Sequence, residues 1–460
     1  MRTLFGEDDI LSTRLKNDEK EPVLLVGVWT QAGKDYESED AFSHSLDELE
    51  ELAKACGMDP VMTVSQRLPK ADQALYVRQG KAEEILYIVK DQSISRVLFN
   101  DTLSPSQLRN LQKLLGVPVT DRTRLILEIF ERRARTREAK LQVALAKLQY
   151  LRPRLIGLWE TQNRQGGASG SLSSKGEGEK QLELDRRTIG RRIAELRREL
   201  ALVSRERKTQ RKKRNRSQLP SVALVGYTNA GKSTILNAMI EHWGDLSSAE
   251  NKKVLEEDML FATLDTSIRQ IRVENGRAFL LSDTVGFIQD LPASLVEAFH
   301  STLEEAAQAD LIVQVVDGSD PHCDSHIRTT QETLVSLGAA HIPHITVYNK
   351  SDLRDPQIEY PRRGMRESDI SGETNENLYI SAKEPDSIEL LTRVILEKLE
   401  RANLYREFLI PYAKGNVQAF LSQNAHVETC EYREDGIFMQ VSCSPAAAGK
   451  AEQMLAADSQ

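Results

Sequence analysis

Residues 221–234 read SVALVGYTNAGKST. A short apolar run ends on Gly226, and from there Gly226-Tyr227-Thr228-Asn229-Ala230-Gly231-Lys232-Ser233 has the spacing G-x-x-x-x-G-K-S, followed by Thr234. A strand that turns through such a loop into a helix wraps backbone N–H groups around a β-phosphate, with the positive end of the helix behind them. Lys232 is then placed to reach the β and γ oxygens, and the Ser233 hydroxyl is a ligand for Mg2+. The same strand–loop–helix start predicts an α/β fold with a doubly wound, mostly parallel sheet.

Further phosphate and base signatures follow in order. The strand AFLLS leads into Asp283-Thr284-Val285-Gly286, a D-x-x-G in which the carboxylate holds the metal through water and the Gly286 N–H meets the γ-phosphate. Between the two motifs, Thr263 in LFATLD is placed to complete the Mg2+ shell through its hydroxyl. After the strand HITVY come Asn349-Lys350-Ser351-Asp352, whose last carboxylate accepts from guanine N1–H and N2–H2, groups that adenine lacks. Ser381-Ala382-Lys383 supplies a loop behind the base. The set selects GTP and GDP over ATP, with Lys232, Thr263 and Gly286 as the residues nearest the chemistry. Phe287 stands where many switch GTPases carry a water-orienting Gln, so built-in hydrolysis is expected to be slow. Asn229 is a candidate K+ ligand beside the phosphates, and a cation there would replace part of the charge of an arginine finger.

The 460 residues carry a net charge of −8, with 40% hydrophobic and 28% charged residues, and the length suggests more than one core. No apolar run approaches the ~18 residues that would span a bilayer, and the N-terminus lacks a secretory h-region, so a cytoplasmic protein is expected, with a fraction at the membrane surface. Cys56, Cys323, Cys430 and Cys443 form no C-x-x-C, as in a reducing compartment. His322, Cys323 and His326 in PHCDSH read as polar residues at the start of a surface helix, and no metal is expected there.

Upstream, the runs at 23–29, 61–65, 96–100 and 117–120 alternate with helical patterns, which reads as a small α/β domain over 1–122. Gly80-Lys81 alone is a weak phosphate signal within it. One helix is predicted from Thr123 to Arg154, ended by Pro153, and a second from about Lys180 to Arg214. Leu141, Leu145, Leu148 and Leu151 face Ile189, Ile193, Leu196, Leu200 and Val203, so residues 123–216 should form an antiparallel hairpin around a Gly/Ser-rich loop at 163–179. From Asp185 to Arg216 there are fourteen Lys and Arg against four Asp and Glu, too few acids for i,i+4 pairing. Arg186, Arg187, Arg191, Arg192, Arg197, Arg198, Lys212, Lys213 and Arg214 are the candidate RNA contacts. The G domain is expected over 217–402. A small α+β appendage, read as helix, strand, turn, strand, helix, is expected over 403–460.

These stretches resemble the HflX GTPases over nearly the whole chain. LSPSQLRNLQKLLGVPVTDRTRLILEIFERRARTREAKLQVALAKLQYLRPRL is similar to that family's N-terminal domain running into its helical subdomain, and QLELDRR at 181–187 to the start of the second helix. GYTNAGKST, LFATLD and DTVGFIQDLP are similar to its GTPase signatures, in which Phe287 is the residue expected. The resemblance implies a monomer that binds the large ribosomal subunit (50S) and its rRNA, splits or rescues ribosomes, and is stimulated by them. The inter-helix loop departs from the family's pattern. It is about four residues longer, with Lys175 at an Arg position and Glu177 at a Pro position, in a segment implied to approach the peptidyl-transferase region. Two other readings stay open: a tRNA-modification GTPase, which would carry a catalytic Cys near its C-terminus, and a protein-docking GTP switch that does not bind RNA.

Overall fold

The computed structural model describes residues 20–30, 36, 38–165, 172–214, 219–243, 260–261, 267–273, 277–289, 305–353, 362–365, 376–401, 404–443 and 445–456. They fall into two compact units: Met1–Leu202 with Glu257–Asp265 and Asp290–Phe299, and Val203–Glu256 with Thr266–Gln289 and His300–Gln460. Among the described residues no helix is long and apolar enough to cross a membrane.

In the first unit β1 (Glu21–Thr30), β2 (Met58–Leu68), β3 (Arg96–Phe99) and β4 (Val119–Asp121) form a parallel sheet ordered β2-β1-β3-β4. Six consecutive residues of β1, Val23–Val28, are buried, and this is why the strand is a continuous apolar run without alternation: parallel strands are covered on both faces. Helices α1 (Glu39–Ala55), α2 (Gln79–Asp91) and α3 (Pro105–Leu115) make the crossovers. α3 starts on a capping box between Ser104 and Gln107 with Pro105 in its first turn, and it stops at Gly116 in the left-handed conformation. Lys81 lies in the first turn of α2 and pairs with Glu84 at 2.8 Å.

The predicted helix 123–154 is two helices, α4 (Arg122–Arg133) and α5 (Arg137–Gln165). Ala134 is extended, and the Thr136 hydroxyl accepts from Ala139 N, which caps the new start. Pro153 does not end α5. α6 runs from Leu172 to Arg214, so residues 172–179 of the expected Gly/Ser loop are helical and 166–171 lie outside the described residues. Leu145, Ile193 and Leu196 are buried against one another, with Leu141, Leu148, Ile189 and Leu200 half-covering them, as the facing stripes require. Buried Asp121 ties α5 to the sheet: its carboxylate accepts from Leu103 N, Arg124 N, the Tyr150 hydroxyl and Arg154 Nη2.

In the second unit seven strands are ordered β10-β11-β9-β8-β5-β7-β6. The parallel interior is β5 (Ser221–Gly226), β7 (Ala278–Asp283), β8 (Leu311–Asp317), β9 (His344–Asn349) and β11 (Glu376–Tyr379). The antiparallel edges β6 (Ser267–Arg272) and β10 (Arg362–Met365) were not expected from sequence. Helices α7 (Lys232–Trp243), α8 (Cys323–Ser336) and α9 (Pro385–Arg401) belong to this unit, and α7 and α9 pack on its core. β5 has β7 on one side and β8 on the other, so the chain reverses its winding at the end of β5, where doubly wound folds bind ligands.

The C-terminal part opens with an unpredicted strand, β12 (Leu404–Ile410), then α10 (Gly415–Asn424), β13 (His426–Arg433), β14 (Gly436–Cys443) and α11 (Pro445–Ala456). Its sheet, β12-β14-β13, is antiparallel and covered on one face, so β14 alternates buried and half-buried residues along Ile437–Cys443.

Candidate nucleotide-binding site

Residues 226–231 link the buried end of β5 to α7, and two glycines are required there. Gly226 has φ +148°, and a Cβ on it would stand 2.0 Å from Val315 O; Gly231 has φ +92°, and its Cβ would stand 2.2 Å from Asn349 Nδ2. Asn229 tolerates φ +60° and is exposed at the loop tip.

Lys232, at the start of α7, folds back over the loop and donates to Gly226 O at 3.0 Å and Tyr227 O at 2.6 Å. Burial lowers its ammonium to about 8, and the nearby Asp283 carboxylate offsets only part of that. Ser233 Oγ donates to Asp283 Oδ2 at 2.6 Å, and Thr284 Oγ1 donates to Leu224 O at 2.8 Å. Gly286 lies against Thr228 and Lys232 Nζ. The peptide after it is fixed to the loop on both sides: Phe287 N donates to Gly226 O at 3.1 Å, and Thr228 N donates to Phe287 O at 2.8 Å. The Phe287 ring is 1% exposed. Val285 is buried beside them, Thr234 lies half-buried in α7, and Thr263 lies outside the described residues.

A second cluster faces the loop from the ends of β9 and β11. Asn349 Nδ2 donates to Ala230 O at 3.0 Å, and Asn349 Oδ1 accepts from Ala382 N at 2.9 Å, so one buried amide joins the phosphate loop to the 381–383 loop. Asp352 Oδ1 accepts from Ser381 Oγ at 2.9 Å, and its Oδ2 lies 3.5 Å from Lys383 Nζ. Lys350, at φ +60°, pairs with Asp317 at 2.8 Å.

Sequence reasoning missed Asp317, whose signal was a carboxylate closing a strand, and Ser387, whose hydroxyl accepts from Ser381 N at 3.1 Å. It also misplaced His326. This ring is 6% exposed rather than on a surface helix, and it stacks on Tyr227 at 3.8 Å between centroids with planes 10° apart. The Tyr227 hydroxyl accepts from Gln289 N at 2.7 Å, which ties the segment after D-x-x-G to the phosphate loop a second time.

On the hairpin, Arg186, Arg187, Arg191, Arg192, Arg197 and Arg198 are all exposed along α6. Lys212, Lys213 and Arg214 are in the last turn of that helix, and their side chains lie outside the described set. Cys443 is 1% exposed in β14, away from solvent chemistry.

With oxygen donors from Ser233 and Asp283 already 2.6 Å apart, the pair suits a hard divalent ion such as Mg2+. Comparison with known proteins agrees with the motifs. A family described as GTP-binding GTPase N-terminal matches residues 43–131, a GTP-binding GTPase middle region matches 133–214, and the family of 50S ribosome-binding GTPases matches 221–350. GTPase HflX of Caldanaerobacter subterraneus subsp. tengcongensis is 40% identical over 401 residues, 87% of this chain and 88% of the relative. GTPase HflX of Alkalihalophilus pseudofirmus is 40% identical over 420 residues, 91% of this chain and 92% of the relative. Among solved structures, a GTP-binding protein from the archaeon Sulfolobus solfataricus in complex with GDP is 22% identical, covering 83% of this chain and 99% of that one, with a TM-score of 0.41.

Proposed function

Because the chain belongs to the HflX family of GTPases, we propose that it hydrolyses GTP to GDP and phosphate at the Gly226–Ser233 loop, with the large ribosomal subunit as both target and activator. The observation that carries this reading is Phe287: its ring is buried and both of its backbone groups are bound to the phosphate loop, so this position has no group to orient an attacking water. A partner that orders the site or adds charge supplies what is missing, on the order of 10³–10⁵ in rate where an arginine finger does so. Slow hydrolysis keeps GTP in place until that partner arrives.

In this reading the Lys232 ammonium leaves its two carbonyl partners for the β and γ oxygens, and the Gly286 N–H meets the γ-phosphate. The base lies between Asn349, Lys350 and Asp352 on one side and the Ser381–Lys383 loop on the other. Ser233, Asp283 and Thr263 would hold Mg2+, which when bound neutralises charge on the β and γ oxygens. A K+ beside Asn229 would add to that charge. The exposed arginines of α6 carry the protein onto rRNA, and the GTP-bound form splits or rescues the ribosome in the cytoplasm.

The test is GTP turnover by the full chain alone, with small subunits and with large subunits. It is paired with co-sedimentation under GTP, GDP and a non-hydrolysable analogue. Large subunits should raise turnover at least tenfold, and charge reversal at Arg191, Arg192, Arg197 and Arg198 should remove both the binding and its salt dependence. Turnover that large subunits do not change, with binding insensitive to salt, refutes the ribosome reading and leaves a protein-docking switch.

A further inference from the structure

Beyond Leu224 and Asp283, β5 and β7 part and meet again at Tyr227 and Phe287, where parallel pairing resumes as a single bridge. Val225 and Gly226 lie on one side of the gap and Thr284, Val285 and Gly286 on the other, so the D-x-x-G takes the longer path and bows before it closes. Phe287 is held there by its own backbone bonds to Gly226 O and Thr228 N. Gln289 is held through side chains: its N–H donates to the Tyr227 hydroxyl at 2.7 Å, and its Nε2 donates to Ser325 Oγ at 3.2 Å.

These two acceptors share a support at the start of α8. His326, next to Ser325, lays its ring face to face on Tyr227 with centroids 3.8 Å apart, and both residues are buried. The segment that carries His326 is fastened at its far end to Asn349 and Lys350 of the proposed base pocket. Asp317, which closes β8, pairs with Lys350 at 2.8 Å and accepts from Ser319 N at 2.9 Å, while Gly318 N donates to Asn349 O at 2.8 Å. Asp320 Oδ2 then stands 3.6 Å from His326 Nδ1, and Gln314 of β8 donates to Ile327 O at 3.3 Å, which ties the first turn of α8 to the sheet. A ring mounted in this way has little freedom to move, and the phenol stacked on it is fixed in turn.

We infer that Tyr227 and His326 are positioning residues for GTP hydrolysis: the stacked pair holds the segment that follows D-x-x-G, and with it the Gly286 N–H, at a fixed place over the phosphate loop. The inference rests on hydrolysis at the Gly226–Ser233 loop and is independent of the ribosome. A hydrogen-bond donor stabilises charge on a terminal phosphate only from the right place, and a displacement of about 1 Å can cost about 10²-fold in rate. Gly286 is close-packed where it stands, since a Cβ on it would lie 2.8 Å from Thr228 Cγ2 and 3.1 Å from Lys232 Nζ. With a phenyl ring at position 287, the placement of Gly286 and Lys232 carries more of the chemistry. The Tyr227 phenol acts through Gln289, and His326 acts through Tyr227.

The experiment follows a single turnover of GTP by the full chain without ribosomes, with protein in excess. The affinity and stoichiometry of a fluorescent GDP are measured beside it, so that rates are compared per folded site. Lys232→Ala should be inactive, and turnover that survives it moves hydrolysis to another site, which refutes the underlying reading and the pair with it. Tyr227→Phe removes the acceptor for Gln289 N and keeps the ring, whereas His326→Ala removes the stack. Each should slow hydrolysis about three- to tenfold while GDP affinity stays within about twofold of wild type. His326→Phe keeps a ring against Tyr227 and should recover at least about half of the wild-type rate. The double variant Tyr227→Phe/His326→Ala should be no slower than the slower single one, because both changes break one chain of contacts. Val335→Ala, at an exposed position of α8, should leave the rate unchanged. Rates for Tyr227→Phe and His326→Ala within about twofold of wild type, with Lys232→Ala inactive, overturn the assignment and leave hydrolysis at the loop in place. It is equally overturned if His326→Phe is as slow as His326→Ala, if the two effects multiply in the double variant as independent packing defects do, or if GDP affinity falls in step with the rate.

Discussion

Replacing Asn349 by alanine should unfasten the second unit more than any exposed change in it. The side chain is 2% exposed and makes two hydrogen bonds to backbone from elsewhere in the chain, Nδ2 to Ala230 O at 3.0 Å and Oδ1 from Ala382 N at 2.9 Å. Alanine leaves a carbonyl and an N–H buried without partners, at about 1–3 kcal/mol each. The sum is about 2–6 kcal/mol, and for a unit of this size each kcal/mol moves the melting temperature by about 2–4 °C, so a fall of about 4–24 °C is expected. The transition to follow is the one that GDP shifts upward, since it belongs to the nucleotide-binding unit. Asn349→Asp sharpens the test. It keeps the acceptor for Ala382 N but sets a carboxylate oxygen against Ala230 O, and it should be no better than alanine. Leu353, 64% exposed, serves as the control, because Leu353→Ala should cost under about 0.5 kcal/mol. If Asn349→Ala melts within about 2 °C of Leu353→Ala, the amide does not fasten the two loops and the reasoning is wrong.

Lys232 should leave a signature in alkaline solution. Its ammonium titrates at about 8 in the folded protein against an ordinary 10.5, so between those values the unfolded chain binds more protons. The stability of the nucleotide-free protein therefore rises with pH across that window, and the full penalty is present below about 8. Subtracting the melting curve of Lys232→Met from that of wild type between pH 7 and 10.5 should expose this slope, and parallel curves would refute it. Asp352→Asn should weaken GTP by roughly 10–100-fold and favour xanthosine triphosphate, because an amide donates where the guanine amino group needs an acceptor. Competition of both nucleotides against fluorescent GDP reads the preference, and an unchanged order would count against the base pocket.

The phosphate loop, D-x-x-G and Asn-Lys-x-Asp were legible because each is a run of consecutive residues whose chemistry is local. The interior strands were legible for a similar reason, since burial on both faces writes them as unbroken apolar runs such as VLLVGV. The edge strands β6 and β10 carry SIRQIR and RRGM, polar enough to pass for loops. The break at Ala134–Thr136 depends on a hydroxyl turning to Ala139 N, which composition does not announce. Helix through Gly176 and Gly178 runs against local propensity. Contacts between distant residues were the least visible. Asn349 and Ala230 are 119 positions apart, and nothing in PHCDSH points to an aromatic stack with Tyr227.

Phe261 bears on how divisible the molecule is. It sits 2% exposed at φ +57°, edge-on to Phe130 with centroids 4.6 Å apart, and it belongs to the first compact unit although it follows the phosphate loop in the chain. The first unit is thus assembled from separate stretches of polypeptide, and no single cut in the backbone separates it from the second. A fragment that begins near residue 217 would carry this phenyl ring away from its partner, leaving a hole beside Phe130 and a large apolar side chain with no cover. Filling such a position is worth about 3–5 kcal/mol in a packed interior. A cut near residue 217 therefore divides the first unit itself, and properties measured on either piece include that unit's loss of Phe261.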